Sequence, residues 1–265
     1  MLFRWLKQRR RQNLLSEPFP APWLTILQER VVLYRFLDAA EQDKLRDAAR
    51  VLVAEKSWEG CKGLQLTDEI RITVAALAAM LLLGLRDSYF DNVQTILVYP
   101  EAFRSPQQHA IGGDVAMETT DERLGEAHYR GPVILSWADV TEDAAQPGYG
   151  QNLVFHEFAH QLDMQNGAAD GVPQLPRSLE KRWQSVMAKE FERLCKAADR
   201  EQNTFLDQYG ATDEAEFFAV VTESFFDEPL ALRDRHTKLY ELLREFYRVE
   251  PAKWFERMLQ DQGPV

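Results

Sequence analysis

The run His156-Glu157-Phe158-Ala159-His160 limits how this chain can fold more than any other feature. It matches the pattern H-E-x-x-H. Residues i and i+4 lie one turn apart on one face of an α-helix. Two imidazoles placed there can grip one tetrahedral ion at about 2.0–2.1 Å. Glu157 is turned about 100° around the helix from His156, close enough to face water on that ion. It can act there as a general base and pass the proton to a leaving amine. Phe155, Phe158, Ala159 and Leu162 surround the motif at helical spacing, as a buried active-site helix requires. Chance alone gives the pattern in roughly one chain in a hundred of this composition. The competing reading is a core helix with two hydrogen-bonded histidines.

An ion held by a helix pair needs a third ligand. A histidine six residues after His160 would supply it in one large class, but position 166 is Asn166. The other common solution is a glutamate on a later helix. The helical segment 212–226 offers Glu216 and Glu223 among Phe217, Phe218, Val220, Val221, Phe225 and Phe226. The two acids are seven residues apart, so they point the same way but lie about 10.5 Å apart along the axis. Only one can reach the ion. A buried carboxylate needs a cation or hydrogen bonds. On the residues alone both stay open: Glu216 as ligand or as a capping-box residue behind Asp213, Glu223 as a salt-bridged acid or a partner orienting a histidine. Asp163, three residues after His160, is either another orienting acid or a surface acid at the helix end.

The chain around this motif is ordinary. At 265 residues it can build a core without disulfides or structural metal. No linker marks the one plausible boundary, near residue 90. We therefore expect a single unit over 1–265, with 1–90 an N-terminal helical part and 91–265 a catalytic core. The net charge of −11 argues against direct nucleic-acid binding. Cys61 and Cys195 form no framework, which points to a reducing compartment, the cytoplasm. The basic N-terminal stretch lacks the apolar segment and cleavage site of a signal peptide, and Pro18, Pro20 and Pro22 break the next stretch of chain. We expect a frayed end or a short surface helix there, with membrane-surface contact through Phe3, Trp5 and Leu6 as the alternative. The longest apolar run, Ile72 to Leu85, is shorter than the roughly 20 residues of a membrane span and reads as a buried helix.

Periodicity gives a helix-rich α+β order. Helical patterns cover 23–55, clearest over 41–54. A helix opened by Thr67 runs to about Gly84. A strand covers 92–99 and a second 132–137, with loops at 101–130 and 143–150. Then come helices near 151–164, 178–200 and from 212 to Pro229, and an amphipathic helical tail over 235–260.

The segment HEFAHQLDMQNG (156–167), with the run from Tyr209 to Phe226, resembles the bacterial Mlc titration factor A family. Gly63 to Glu69, Leu97-Val-Tyr-Pro100 with Phe103, and the final helical segment extend the likeness over nearly the whole chain. The resemblance implies a gluzincin related to the anthrax lethal factor catalytic domain. Its fold would be helix-rich, zincin-like α+β, with a small sheet packed on the HExxH helix. That relationship carries a tyrosine seven residues before the third-ligand glutamate. Tyr209 and Glu216 have this separation, whereas Glu216 itself stands seven before Glu223. The resemblance thus assigns Glu216 as third zinc ligand and Tyr209 as stabiliser of the oxyanion, and leaves Glu223 to orient a histidine. It also makes His109 an extra ligand in a closed, self-inhibited form, with Gly112-Gly113 lending the loop mobility. His128 and His236 carry no such implication.

The activity implied is that of a cytoplasmic zinc peptidase, aminopeptidase-like, with one Zn2+ per chain and a peptide or aminoacyl substrate. Family members also bind Mlc, the glucose repressor, and so affect phosphotransferase-system gene expression. The alternative is a non-catalytic protein that sequesters the repressor and keeps a vestigial or structural zinc site. Phe246, Tyr247, Trp254 and Phe255 would then form an interaction face, unless they pack in the core. The strand at 133–137, just before the zinc helix, is a candidate for aligning peptide by backbone pairing.

Overall fold

The structure is a computed structural model and describes residues 2–85, 89–101 and 131–261. His109, His128, Phe103 and the Gly112-Gly113 pair lie outside the described residues. The elements run α1 (Leu2–Ser16), α2 (Ala21–Arg30), α3 (Ala39–Glu55), β1 (Ser57–Gly60), α4 (Asp68–Met80), β2 (Thr95–Tyr99) and β3 (Val133–Ser136). After them come α5 (Trp137–Ala145), α6 (Leu153–Asp163), α7 (Arg177–Ala198), α8 (Glu214–Asp227), α9 (Pro229–Arg235), α10 (Thr237–Tyr247) and α11 (Pro251–Asp261). The fold is helix-rich α+β, as the periodicity predicts, and agrees with a zincin-like arrangement.

Local chemistry explains most of the boundaries. Asp38 and Glu41 form a reciprocal capping box at the start of α3. Thr67 caps α4 by accepting from the Ile70 amide. The regular part of α4 ends at Met80, and the chain turns before Gly84. A Cβ on Gly84 would stand 2.1 Å from the Tyr247 carbonyl oxygen, so this turn packs directly on the backbone after α10. The segment Ile72 to Leu83 is buried throughout, which makes it the central helix of the core. Among the described residues no helix is long and apolar enough to cross a membrane.

The sheet has the order β1-β2-β3 and is parallel throughout. Trp58 pairs with Ile96 and Leu97 with Ile134. Two expectations need correction here. Ser57–Gly60 is a strand that the residues did not announce, because only Trp58 in it is large and apolar. The strand expected to reach Trp137 stops at Ser136. The Ser136 hydroxyl accepts from the Asp139 amide and starts α5, a helix where strand and loop were expected.

α6 lies between the sheet and α8. Its apolar face, Val154, Phe155, Phe158, Ala159 and Leu162, is fully buried. Phe158 meets Phe90 edge-on at 4.6 Å and Phe155 meets Phe226 at 5.4 Å. α8 is buried from Phe217 to Asp227 on every side, so it needs cover away from α6 as well. α10 and α11 provide it. Tyr247 stacks on Phe225 and bonds the Thr222 hydroxyl at 2.8 Å, and Trp254 lies against Phe226. Phe246, Tyr247, Trp254 and Phe255 are therefore core residues, as the core-packing reading expects, and do not form an interaction face.

The basic N-terminal stretch is a docked surface helix. Arg11 grips Glu55 with two parallel bonds of 2.8 and 2.6 Å and also reaches Asp91 at 2.6 Å. Burial pushes the Glu55 carboxyl up, but the guanidinium outweighs it and holds the group below its ordinary value. A bidentate pair this well shielded stabilises the docking of α1 on α3. Arg11→Ala should lower stability at pH 7 by about 1–3 kcal/mol in urea unfolding. A depressed carboxylate contributes above its unfolded pKa of about 4.3 and loses that contribution as pH falls through its folded value. The difference between wild type and variant should shrink below that pH. A difference that showed no decline as the carboxyl is titrated below about pH 4 would contradict the ion-pair account.

Candidate metal centre

α6 presents His156 and His160 on one face, and the first turn of α8 presents Glu216 opposite them. The two histidine Nε2 atoms are 3.2 Å apart. The Glu216 Oε2 atom is 3.1 Å from the first and 3.5 Å from the second. Donor atoms held tetrahedrally at about 2.05 Å from a common centre are separated by about 3.3 Å. The triangle observed here has that size. Among the described residues this is the one group of three or more His, Cys, Asp or Glu that could hold a metal ion.

The orientation of the groups agrees with their spacing. Glu216 Oε2 is buried and satisfies no hydrogen-bond donor, although two imidazole nitrogens stand within ion-pair distance. The three donor atoms converge, each within 3.1–3.5 Å of the other two. Electrostatics says the same. Burial pushes His156 down, yet Glu216 and Glu223 overcome it and raise the imidazole to about 10. Burial raises Glu216, yet the two histidines bring it well below the ordinary carboxylate range. The cluster therefore draws positive charge. A divalent cation at the shared point would supply the charge that protons otherwise bring.

The Asp213 carboxylate caps α8 by accepting from the Glu216 amide at 2.8 Å. The Glu216 backbone serves the cap while its side chain faces the histidines, so the two readings of this residue are compatible. Glu223, two turns along α8, is buried and contacts the other nitrogen of the same imidazole. Its Oε1 is 2.7 Å from His156 Nδ1, and its Oε2 accepts from the Asn152 amide at 2.7 Å. A carboxylate at Nδ1 fixes the proton there and leaves the Nε2 lone pair for the centre.

Glu157 is half-buried beside the triangle. Burial raises its carboxyl above the ordinary value, with the two histidines pulling the other way. Tyr209 sits in the short turn Gln208–Ala211, its ring 6.0 Å from that of His156. Asp207 starts this turn by accepting from the Tyr209 amide at 2.9 Å. Its other oxygen accepts from the Gln151 side chain at 3.0 Å. The tyrosine turn is thereby tied to the loop that enters α6. Asp163 is fully buried, which corrects the surface-acid reading. It accepts from the Gly171 amide at 2.9 Å and anchors the loop after α6. His236 bonds Glu190 at 2.8 Å.

Sequence reasoning missed two acids that hold the start of α6. Asp143 accepts from the Leu153 amide at 2.8 Å, and burial raises its carboxyl to about 7. Asp227 accepts from the amides of Gly148 and Gly150 at 3.1 and 2.6 Å, and burial raises it to about 6. The entry loop also depends on a glycine. Gly150 has φ +76°, and a Cβ there would lie 2.3 Å from the Glu228 carboxylate. Asp227 had one signal, an acid ending the apolar run Phe225-Phe226. Asp143, in an Ala-rich stretch of a helix not foreseen, had none.

A family model described as glucose-regulated metallo-peptidase M90 matches residues 5–248. An uncharacterized protein of Synechocystis sp. is 41% identical over 93% of this chain and 90% of its own length. Mlc titration factor A of Serratia proteamaculans is 32% identical, over 84% of this chain and 85% of that protein. Mlc titration factor A of Klebsiella pneumoniae is 31% identical over 91% of each.

Glu223→Gln should weaken metal binding about 10–100-fold, read by competition with a chromogenic chelator. Unchanged affinity would mean that Glu223 serves only the helix start.

Proposed function

The chain belongs to the glucose-regulated metallo-peptidase M90 family, and from that membership we propose that it is a zinc-dependent peptidase of aminopeptidase type. The observation that carries this reading is the triangle of His156, His160 and Glu216 donor atoms, with Glu157 beside it. Two imidazoles and one carboxylate are the donor set of catalytic zinc sites that keep one position open. One Zn2+ per chain is the expected content. When bound, zinc supplies Lewis acidity that polarises a carbonyl and makes water acidic near neutral pH.

The chain's own groups do the rest. Glu157 takes the proton from the attacking water and returns it to the leaving amine. Burial raises its carboxyl, which favours holding the proton between the two steps. The Tyr209 hydroxyl donates to the oxygen that becomes negative as the peptide carbonyl turns tetrahedral. Glu223 keeps His156 in the tautomer that can bind metal, and through Asn152 it fixes where α6 begins. Among the described residues β3 pairs only with β2, so its outer edge can align an extended peptide. A proline at an outward-facing amide of β3 should raise KM for peptide, and an unchanged KM counts against this pairing.

The relatives' name, Mlc titration factor A, supports a second role on the same chain. We assign this protein an Mlc-type transcription repressor as partner, and the cytoplasm as the place where the two meet. The acidic charge favours approach to a basic partner surface. Glu157→Gln separates the roles. It should lower peptide kcat by about 10²–10⁴-fold, while metal content and repressor binding stay unchanged. Undiminished hydrolysis would remove Glu157 from the mechanism. Hydrolysis absent in wild type as well, with repressor binding intact, would favour a sequestering protein with a structural zinc site.

A further inference from the structure

We propose that a cavity at the C-terminal end of α7, formed with the Arg200–Leu206 segment and the end of α9, binds a small organic anion with a flat apolar part, of the nucleotide kind. The cavity holds about 750 Å³, within the roughly 300–1,000 Å³ of small-molecule sites. Its charge runs against that of the whole chain. Lys189, Arg193, Lys196, Arg200 and Arg235 line it against only Glu190 and Glu192, in a protein of net charge −11.

Two of the five cations are outside any ion pair or ring contact among the described residues. Glu190 is held by His236 at 2.8 Å and by Arg193 at 3.6 Å, and Glu192 is held by Lys196. Lys189 and Arg200 have no ion-pair partner among the described residues. The negative end of a helix dipole explains cations in the last turn. That accounts for Lys196 and Arg200. It does not account for Lys189, more than two turns back, or for Arg235, which arrives from another helix.

The apolar side is equally defined. The Phe205 ring lies 5.8 Å from the His236 ring and 5.3 Å below the Arg235 guanidinium. Leu194 and Leu206 are buried behind it. An aromatic surface capped by a guanidinium suits a flat heterocycle, and the neighbouring cations suit phosphate or carboxylate groups. Three chain segments converge to make this combination, so it is not the property of one helix face.

The test is calorimetric titration of the full chain with ADP, adenosine and pyrophosphate in low-salt buffer. ADP should bind, pyrophosphate more weakly, and adenosine not measurably. The double variant Arg200→Ala/Arg235→Ala replaces two exposed side chains and should bind ADP at least tenfold more weakly, with an unchanged circular dichroism spectrum. Absence of ADP binding at millimolar concentration overturns the proposal. So does ADP binding that persists in the double variant, which would place the ligand elsewhere, the metal centre included. Pyrophosphate binding as tight as ADP refutes the flat apolar subsite, and adenosine binding as tight as ADP refutes the role of the cations.

Discussion

One carboxylate, that of Glu223, ties the fold to the site. It is buried in α8, and it bonds both His156 Nδ1 and the Asn152 amide at 2.7 Å. The first contact sets the tautomer of a candidate ligand. The second sets the level at which α6 starts. Removing this group would leave an imidazole nitrogen and a backbone amide unpaired in the interior, which is costly. The surrounding phenylalanines supply most of the packing energy between α6 and α8, but apolar contacts tolerate sliding and rotation. The Glu223 bonds do not, and so they fix the register in which Glu216 meets the two histidines.

The same end of α6 gathers other buried acids, and their arrangement follows one rule. Asp143, Glu223 and Asp227 have no lysine or arginine bonded to them among the described residues. Each instead accepts backbone amides that lead into or begin α6. The first amides of a helix have no partners within it, and its positive dipole end favours negative charge. These terms offset part of the burial penalty, though Asp143 and Asp227 still titrate near 7 and 6. What the molecule gains is a helix start clamped by side chains from both α5 and α8. A metal-binding pair on α6 is only as well placed as that start, since His156 is four residues beyond Asn152.

Legibility in the sequence varied with the range of the interaction. The HExxH helix, α4 behind Thr67 and the burial of α8 could be read because each rests on local periodicity or a capping side chain. Ser57–Gly60 could not, since its strand character comes from Thr95–Tyr99, nearly forty residues away. Trp137 was misassigned because an apolar run continues across a boundary that the Ser136 hydroxyl decides. For the tail aromatics Tyr247 and Trp254 the sequence leaves core and surface both open, because their partners, Thr222, Phe226 and Glu41, lie far off in the chain. Asp143 was silent for the same reason: its function is a bond to the amide of Leu153, and nothing in Glu-Asp-Ala-Ala marks it.

The choice between Glu216 and Glu223 shows where local periodicity stops being informative. Seven residues apart on one helix, both acids point at α6, and helical geometry alone says only that one of them reaches the ion. The structure resolves this through a single imidazole. Glu216 approaches His156 at Nε2 and Glu223 approaches it at Nδ1, so the ring lies between the two carboxylates. The nitrogen that also faces His160 belongs to the shared point, and the acid beside it is the candidate ligand. The other nitrogen is turned away, and the acid there can only orient the ring. Both acids thus contact the same histidine, at opposite nitrogens of one ring. The seven-residue spacing is the helical interval that lets one face of α8 serve both.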